Sequence, residues 1–98
     1  MYVKELQKKV FEYQKAGDKD RVSVLRYLLS QIKNKEIEMR VDGCTPSKED
    51  IIQITRKQIK QRQQSADLYR QGKREGLAEK EEHEKELLAE ILEYVENF

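Results

Sequence analysis

Apolar residues return along this chain in steps of three and four. Val3, Leu6, Val10 and Tyr13 form a first run that Gly17 closes, and Asp18 stands where it caps whatever follows. From Asp20 to Arg40 a longer run of Val22, Leu25, Leu28, Leu29, Ile32 and Met39 traces one face of a second helix, which Asp42-Gly43 breaks. A third helix starts either at Thr45-Pro46 or at Ser47 with Asp50 three residues on, since a hydroxyl satisfies orphan N–H groups and a proline has none to satisfy. It carries Ile51, Ile52, Thr55, Ile59, Ala66 and Tyr69 as far as Gln71. Gly72 and Gly76 then bracket a Lys-Arg-Glu turn, and Leu77, Leu88, Ile91 and Val95 mark a fourth helix. The predicted fold is all-α, with helices over 2–16, 19–41, 46–72 and 77–96 in one domain of 98 residues. Short connections favour antiparallel neighbours, so helices 2, 3 and 4 are expected as an up-down-up bundle with the short helix 1 packed across it.

Composition shows how narrow the apolar stripes must be. Charged residues make up 40% of the chain, against about 25% in ordinary globular domains, and mean hydropathy is −0.97. Such a chain folds only if its few apolar side chains are ranked on single faces. Cys44, the one cysteine, sits in the loop DGCTP. One thiol builds neither a disulfide framework nor a metal site, so an inert loop thiol in a reducing compartment is the expectation. No apolar run is long enough for a leader or a membrane span, which points to the cytoplasm.

A net charge of +1 conceals blocks of opposite sign. Residues 1–52 carry 11 cations and 9 anions, residues 53–74 carry 7 and 1, and residues 75–98 carry 2 and 9. Charges also enter the apolar stripes themselves. Arg62 falls inside the arc of helix 3, Glu36 inside that of helix 2, and Glu84 inside that of helix 4 with Glu81 at its edge. An isolated charge on a buried face costs several kcal/mol, so these residues either pair as a polar cluster or stand at the bundle edge with their stems on apolar surface and their heads in water. A turn centred near Lys73 to Glu75 sets Arg62 opposite Leu88 and one helical turn from Glu84, with Glu36 closing the cluster from helix 2.

The same residues carry a resemblance. DKDRVSVLRYLLSQIKNKEIEMR, followed after a turn by IKQRQQSADLYRQGKREGLAEKEEHEKELL, resembles the N-terminal helical domain of the YqeY-like family, related to the tail domain of the B subunit (GatB) of the tRNA-dependent amidotransferase. The similarity runs over nearly the whole chain and includes the positions Glu36, Arg62, Glu81 and Glu84. It implies a helical domain that helps to hold tRNA for glutamine-dependent amidation by a separate enzyme. Members of the family usually follow helix 4 with a Tyr-Leu-Pro stop and a second small helical module, whereas here ILEYVENF has no proline and the sequence ends, so that module is expected to be absent.

Composition supports such a role in part. Arg56, Lys57, Lys60 and Arg74 share one arc of helix 3, with Arg70 at its border, Lys73 in the turn, and Lys33 and Arg40 available from helix 2. A stripe of this kind neutralises phosphates and reads backbone shape. Aromatic interleaving on helix 3 is poor, because Tyr69 belongs to the apolar arc and the chain has no Trp, so base stacking is not expected. The acidic helix 4 competes for the same cations. No catalytic set is visible: residues 81 and 83 diverge by about 160° on a helix, which rules out a metal site of Glu81, His83 and Glu84, and Gly72 and Gly76 follow no strand. The expected role is therefore an accessory, non-catalytic helical domain without cofactor or metal, whose partner is tRNA or an amidotransferase or translation-related protein. The alternative is a protein-interaction or homodimerisation module, using Leu68 and Ile54 on the far side of helix 3 together with surface Tyr27, Tyr94 and Phe98.

Overall fold

The computed structural model describes residues 2–98 and is built of four helices with no strand among them. They are α1 (Tyr2–Lys15), α2 (Lys19–Arg40), α3 (Lys48–Gln71) and α4 (Glu75–Glu96). Their ends follow from local chemistry. The Asp18 carboxylate accepts the Arg21 backbone N–H at 3.1 Å to open α2. Of the two starts open to α3, the chain uses Ser47: its hydroxyl accepts from the Asp50 N–H while the Asp50 carboxylate accepts from the Ser47 N–H, a reciprocal capping box.

Three helices stop in the same way. After α1 the Asp18 N–H bonds to the Tyr13 carbonyl, after α2 the Cys44 N–H bonds to that of Met39, and after α3 the Arg74 N–H bonds to that of Tyr69. Each is the six-to-one bond of a Schellman turn, which needs one residue in the left-handed region. Gly17 (φ 72°) and Gly43 (φ 71°) take that position in the first two turns. In the third it is Lys73 (φ 59°), one residue beyond Gly72, although a β-carbon there costs about 1–2 kcal/mol.

The apolar faces meet in one core. Leu6, Leu25, Leu28, Ile32, Ile51 and Val95 are fully buried, each contributing roughly 1.5–3 kcal/mol of transfer free energy. The α3–α4 hairpin is the most extensive helix pair, and α1 packs mainly on α2. At the end where α1 begins and α4 finishes, the Tyr2 ring stacks on Phe98 at 5.2 Å and Tyr94 meets Phe98 edge-on at 5.0 Å. Lys9 stands 4.7 Å from the centre of the Tyr94 ring. Tyr94 and Phe98 are thus packed against the core rather than lying at the surface, and Ile54 is half-buried there too. Tyr27 and Leu68 are exposed as expected.

Helix α4 corrects its own predicted stripe. Ala78, Leu87, Leu88, Ile91 and Val95 are buried, but Leu77 is exposed. The reason is position. Between Ala66 and Ala78 no other side chain is buried, so the hairpin tip buries little beyond these two alanines and leaves Leu77 without cover.

Candidate nucleic-acid interface

Antiparallel packing of α3 on α4 sets the basic stretch of the chain against the acidic one, and the outcome differs residue by residue. Arg62 donates to Glu81 at 3.0 Å and to Glu84 at 3.5 Å. All three side chains are at most about a quarter exposed. Glu81, read from its position as an edge residue, is the nearer partner and the more buried of the two. Glu84 is within reach of Arg62, as expected from the sequence, and Leu88 borders the same cleft as Arg62, but Glu81, seven residues before Leu88 on α4, comes closer still. Lys85 donates to the Gln63 amide at 2.6 Å beside this cluster.

Glu36 does not close the cluster. It takes its cations from its own helix, with Arg40 at 2.9 Å and Lys33 at 3.6 Å, and Arg40 beside it holds its carboxyl below the usual carboxylate value. Its stem borders a cleft shared with Val3 and Gln7 of α1, away from α4. A helical wheel places a residue on a face but cannot say which neighbour covers that face.

The remaining candidate cations divide into two groups. Arg70 is held by Glu75 at 3.0 Å and also by Glu82, and these carboxylates push its guanidinium well above the ordinary arginine value. In return Arg70 holds the Glu82 carboxyl below the usual range. Arg56 has Glu96 at 3.9 Å, and Lys33 and Arg40 have Glu36. Lys57, Lys60, Lys73 and Arg74 make no ion pair among the described residues, and all four are exposed. Lys57 and Lys60 are exposed on α3, Lys57 at the rim of a cleft toward α2 that Glu38 and Asp50 also line, while Lys73 and Arg74 sit in the turn at the hairpin tip. The last of them begins α4 without a side-chain cap, so unpaired N–H groups of that first turn add positive potential, partly offset by Glu75.

Beside the Arg62 cluster, between α2 and the hairpin, lies a cleft of about 340 Å³. Gln58, one turn before Arg62 and only 4% exposed, lines it. Its amide oxygen is buried without a hydrogen-bond partner, and so is the Nε–H of Arg62. Buried polar groups left unpaired cost about 1–3 kcal/mol each, which makes two at one place a feature to be accounted for. Sequence reading missed Gln58. The available signal was its spacing: it stands four residues before Arg62 and inside the arc of Thr55, Ile59 and Ala66.

Two further residues read from sequence fall outside this region. Cys44 is exposed and donates only to the Asp42 carbonyl at 3.6 Å. His83 is exposed, 3.4 Å from the Asp20 carboxylate. No group of three His, Cys, Asp or Glu side chains among the described residues is placed to hold a metal, and no described helix is long and apolar enough to cross a membrane.

The family model described as Yqey-like protein matches residues 3–94. An uncharacterised protein of Schizosaccharomyces pombe is 31% identical over 87 residues, which cover 89% of this chain and 68% of that protein. No solved structure matches the chain.

Proposed function

The chain belongs to the Yqey-like family, and from that premise we propose that it is an accessory, non-catalytic module that holds tRNA through exposed cations of α3 and of the turn that follows it. The observation that carries the reading is the set of four cations without anionic partners, Lys57, Lys60, Lys73 and Arg74, in a chain where Arg56, Arg62 and Arg70 are all engaged by α4. The acidic helix neutralises one side of the stripe and leaves the other free. Phosphate oxygens are the ligands such a surface suits, with affinity that falls as salt rises. The resemblance of the sequence to an amidotransferase tail domain supports tRNA as the RNA, and a tRNA-modifying enzyme as the company it keeps. A partner-docking role has less support: the exposed large apolar side chains, among them Phe11, Tyr27, Ile37, Leu68 and Leu77, are spread over all four helices.

Lys73 strengthens the reading. A glycine in its place would relieve the left-handed backbone, as Gly17 and Gly43 do elsewhere, yet the chain carries a cation there. Bulk tRNA binding as a function of salt tests the whole proposal. Replacing Lys57, Lys60 and Arg74 by Ala is expected to reduce the slope of log affinity against log salt by about 2–3. Lys73→Gly is expected to raise stability by about 0.5–1 kcal/mol while weakening tRNA binding. Absence of binding at low salt, or a slope indifferent to the triple substitution, rejects the reading.

A further inference from the structure

We propose that the cleft between α2 and the α3–α4 hairpin receives an unpaired nucleobase; this deepens the RNA-binding reading and rests on it for the identity of the natural ligand, though not for its test. The argument begins with the two orphaned atoms. Gln58 Oε1 requires a donor and Arg62 Nε–H requires an acceptor, and the two residues are one helical turn apart on the same face of α3. A ligand that satisfies both must present a donor beside an acceptor. Every nucleobase does so along its Watson–Crick edge, which is free only where the base is unpaired.

The walls exclude the simpler alternatives. Glu84 lines the cleft and, with Glu81, already balances the Arg62 charge, so a phosphate entering here meets the Glu84 carboxylate and no unbalanced cation. A free cation meets the guanidinium. What remains is a neutral group, and Val24 and Leu88 give it apolar surface on which a flat ring can lie. Tyr27 stands at the same cleft half-exposed, an aromatic face available for stacking. At about 340 Å³, the space lies at the small end of ligand pockets and is roomier than a lone carboxamide requires. The expectation of no base stacking came from reading α3 alone; the aromatic ring is supplied by α2. Phosphates would then meet the exposed cations, and a base taken out of its stack would enter the cleft.

The test uses the full chain labelled with ¹⁵N and follows two signals, the Arg62 Nε–H and the Gln58 side-chain amide. Adenosine and cytidine, which carry no phosphate, are expected to shift both signals in a saturable way, and ribose 5-phosphate is expected to leave them in place. Gln58→Leu should weaken nucleoside binding roughly tenfold without lowering the melting temperature, because it removes a buried amide that has no partner. Tyr27→Ala, at the exposed mouth, should weaken binding too and serves if the Gln58 variant does not fold. The proposal is overturned if nucleosides leave both signals unmoved, if ribose 5-phosphate moves them equally, or if acetamide moves them as far as a nucleoside, the result expected of a site for a protein side chain. The two readings separate cleanly. Salt-dependent tRNA binding with silent nucleosides removes the cleft alone; responsive nucleosides without tRNA binding remove the RNA reading and keep the cleft.

Discussion

The two ends of this bundle are held by different forces. At one end the α1 start and the α4 finish close over the core with Tyr2, Tyr94 and Phe98, and the fully buried Leu6, Leu25, Leu28 and Ile32 lie in the body behind them. At the other, the α3–α4 hairpin runs on with only Ala66 and Ala78 buried between its helices, and charges do the rest: Arg62 with Glu81 and Glu84, Arg70 with Glu75 and Glu82. Two alanines bury little apolar area. The difference teaches why this sequence can be 40% charged and still fold. Stability is concentrated where three or four helices meet, and the hairpin tip is left polar enough to present Lys73 and Arg74 to a partner.

The comparison can be broken most directly in the core. Leu25→Ala should cost about 2–5 kcal/mol in chemical denaturation, whereas Leu68→Ala, on an exposed face, should stay within about 0.5 kcal/mol. Similar costs for the two would mean that the burial pattern does not carry the stability.

A smaller effect is expected at the junction of the two regions. Arg62→Met alone leaves Glu81 and Glu84 facing each other with no cation, and should cost about 1–3 kcal/mol. Arg62→Met with Glu81→Leu should recover a large part of that loss, because the nearer stranded carboxylate is gone as well. Additive costs in the double variant would show that the three side chains do not act as a unit.

Smallest of all is the pH response of the tip. Glu82 is held by Arg70 below its ordinary value of 4.5. A depressed carboxylate contributes stability above its unfolded value, and that contribution is lost as pH falls through its folded value. Amide protection in residues 70–82 should therefore decline as pH drops below 4.5, ahead of the core helices, and Arg70→Gln should return Glu82 to ordinary titration. Protection that falls evenly over the whole chain would erase the distinction between the two ends.

Much of this architecture is legible before folding. Periodicity alone marks all four helices, and glycine and hydroxyl positions mark their ends to within two residues, because caps and turns depend on neighbours in sequence. Which of two caps opens α3 also proved local, settled by the reciprocal bonds of Ser47 and Asp50. The placement of Arg62 inside an apolar arc pointed either to an anionic partner or to a bundle-edge position, and the structure shows the partners. Sequence also reached Glu84 as a partner, found at 3.5 Å; that Glu81 comes closer, at 3.0 Å, depends on how the two helices pack, because a long guanidinium can meet either of two carboxylates nearly a turn apart.

Some features belong to the tertiary structure alone. Whether a cation is free depends on which helix lies beside it, so Arg70 and Lys73, three residues apart, end in opposite states, one clamped between carboxylates and the other unpaired. Leu77 is exposed because the tip buries little beyond two alanines, and Glu36 leaves the cluster because α1 rather than α4 lies beside it. The cleft at Gln58 exists only when α2 brings Tyr27 and Val24 to the hairpin. Periodicity is a property of one helix, and it fixed the helices. Pairing, exposure and cavities are properties of what stands opposite, and only packing decided those.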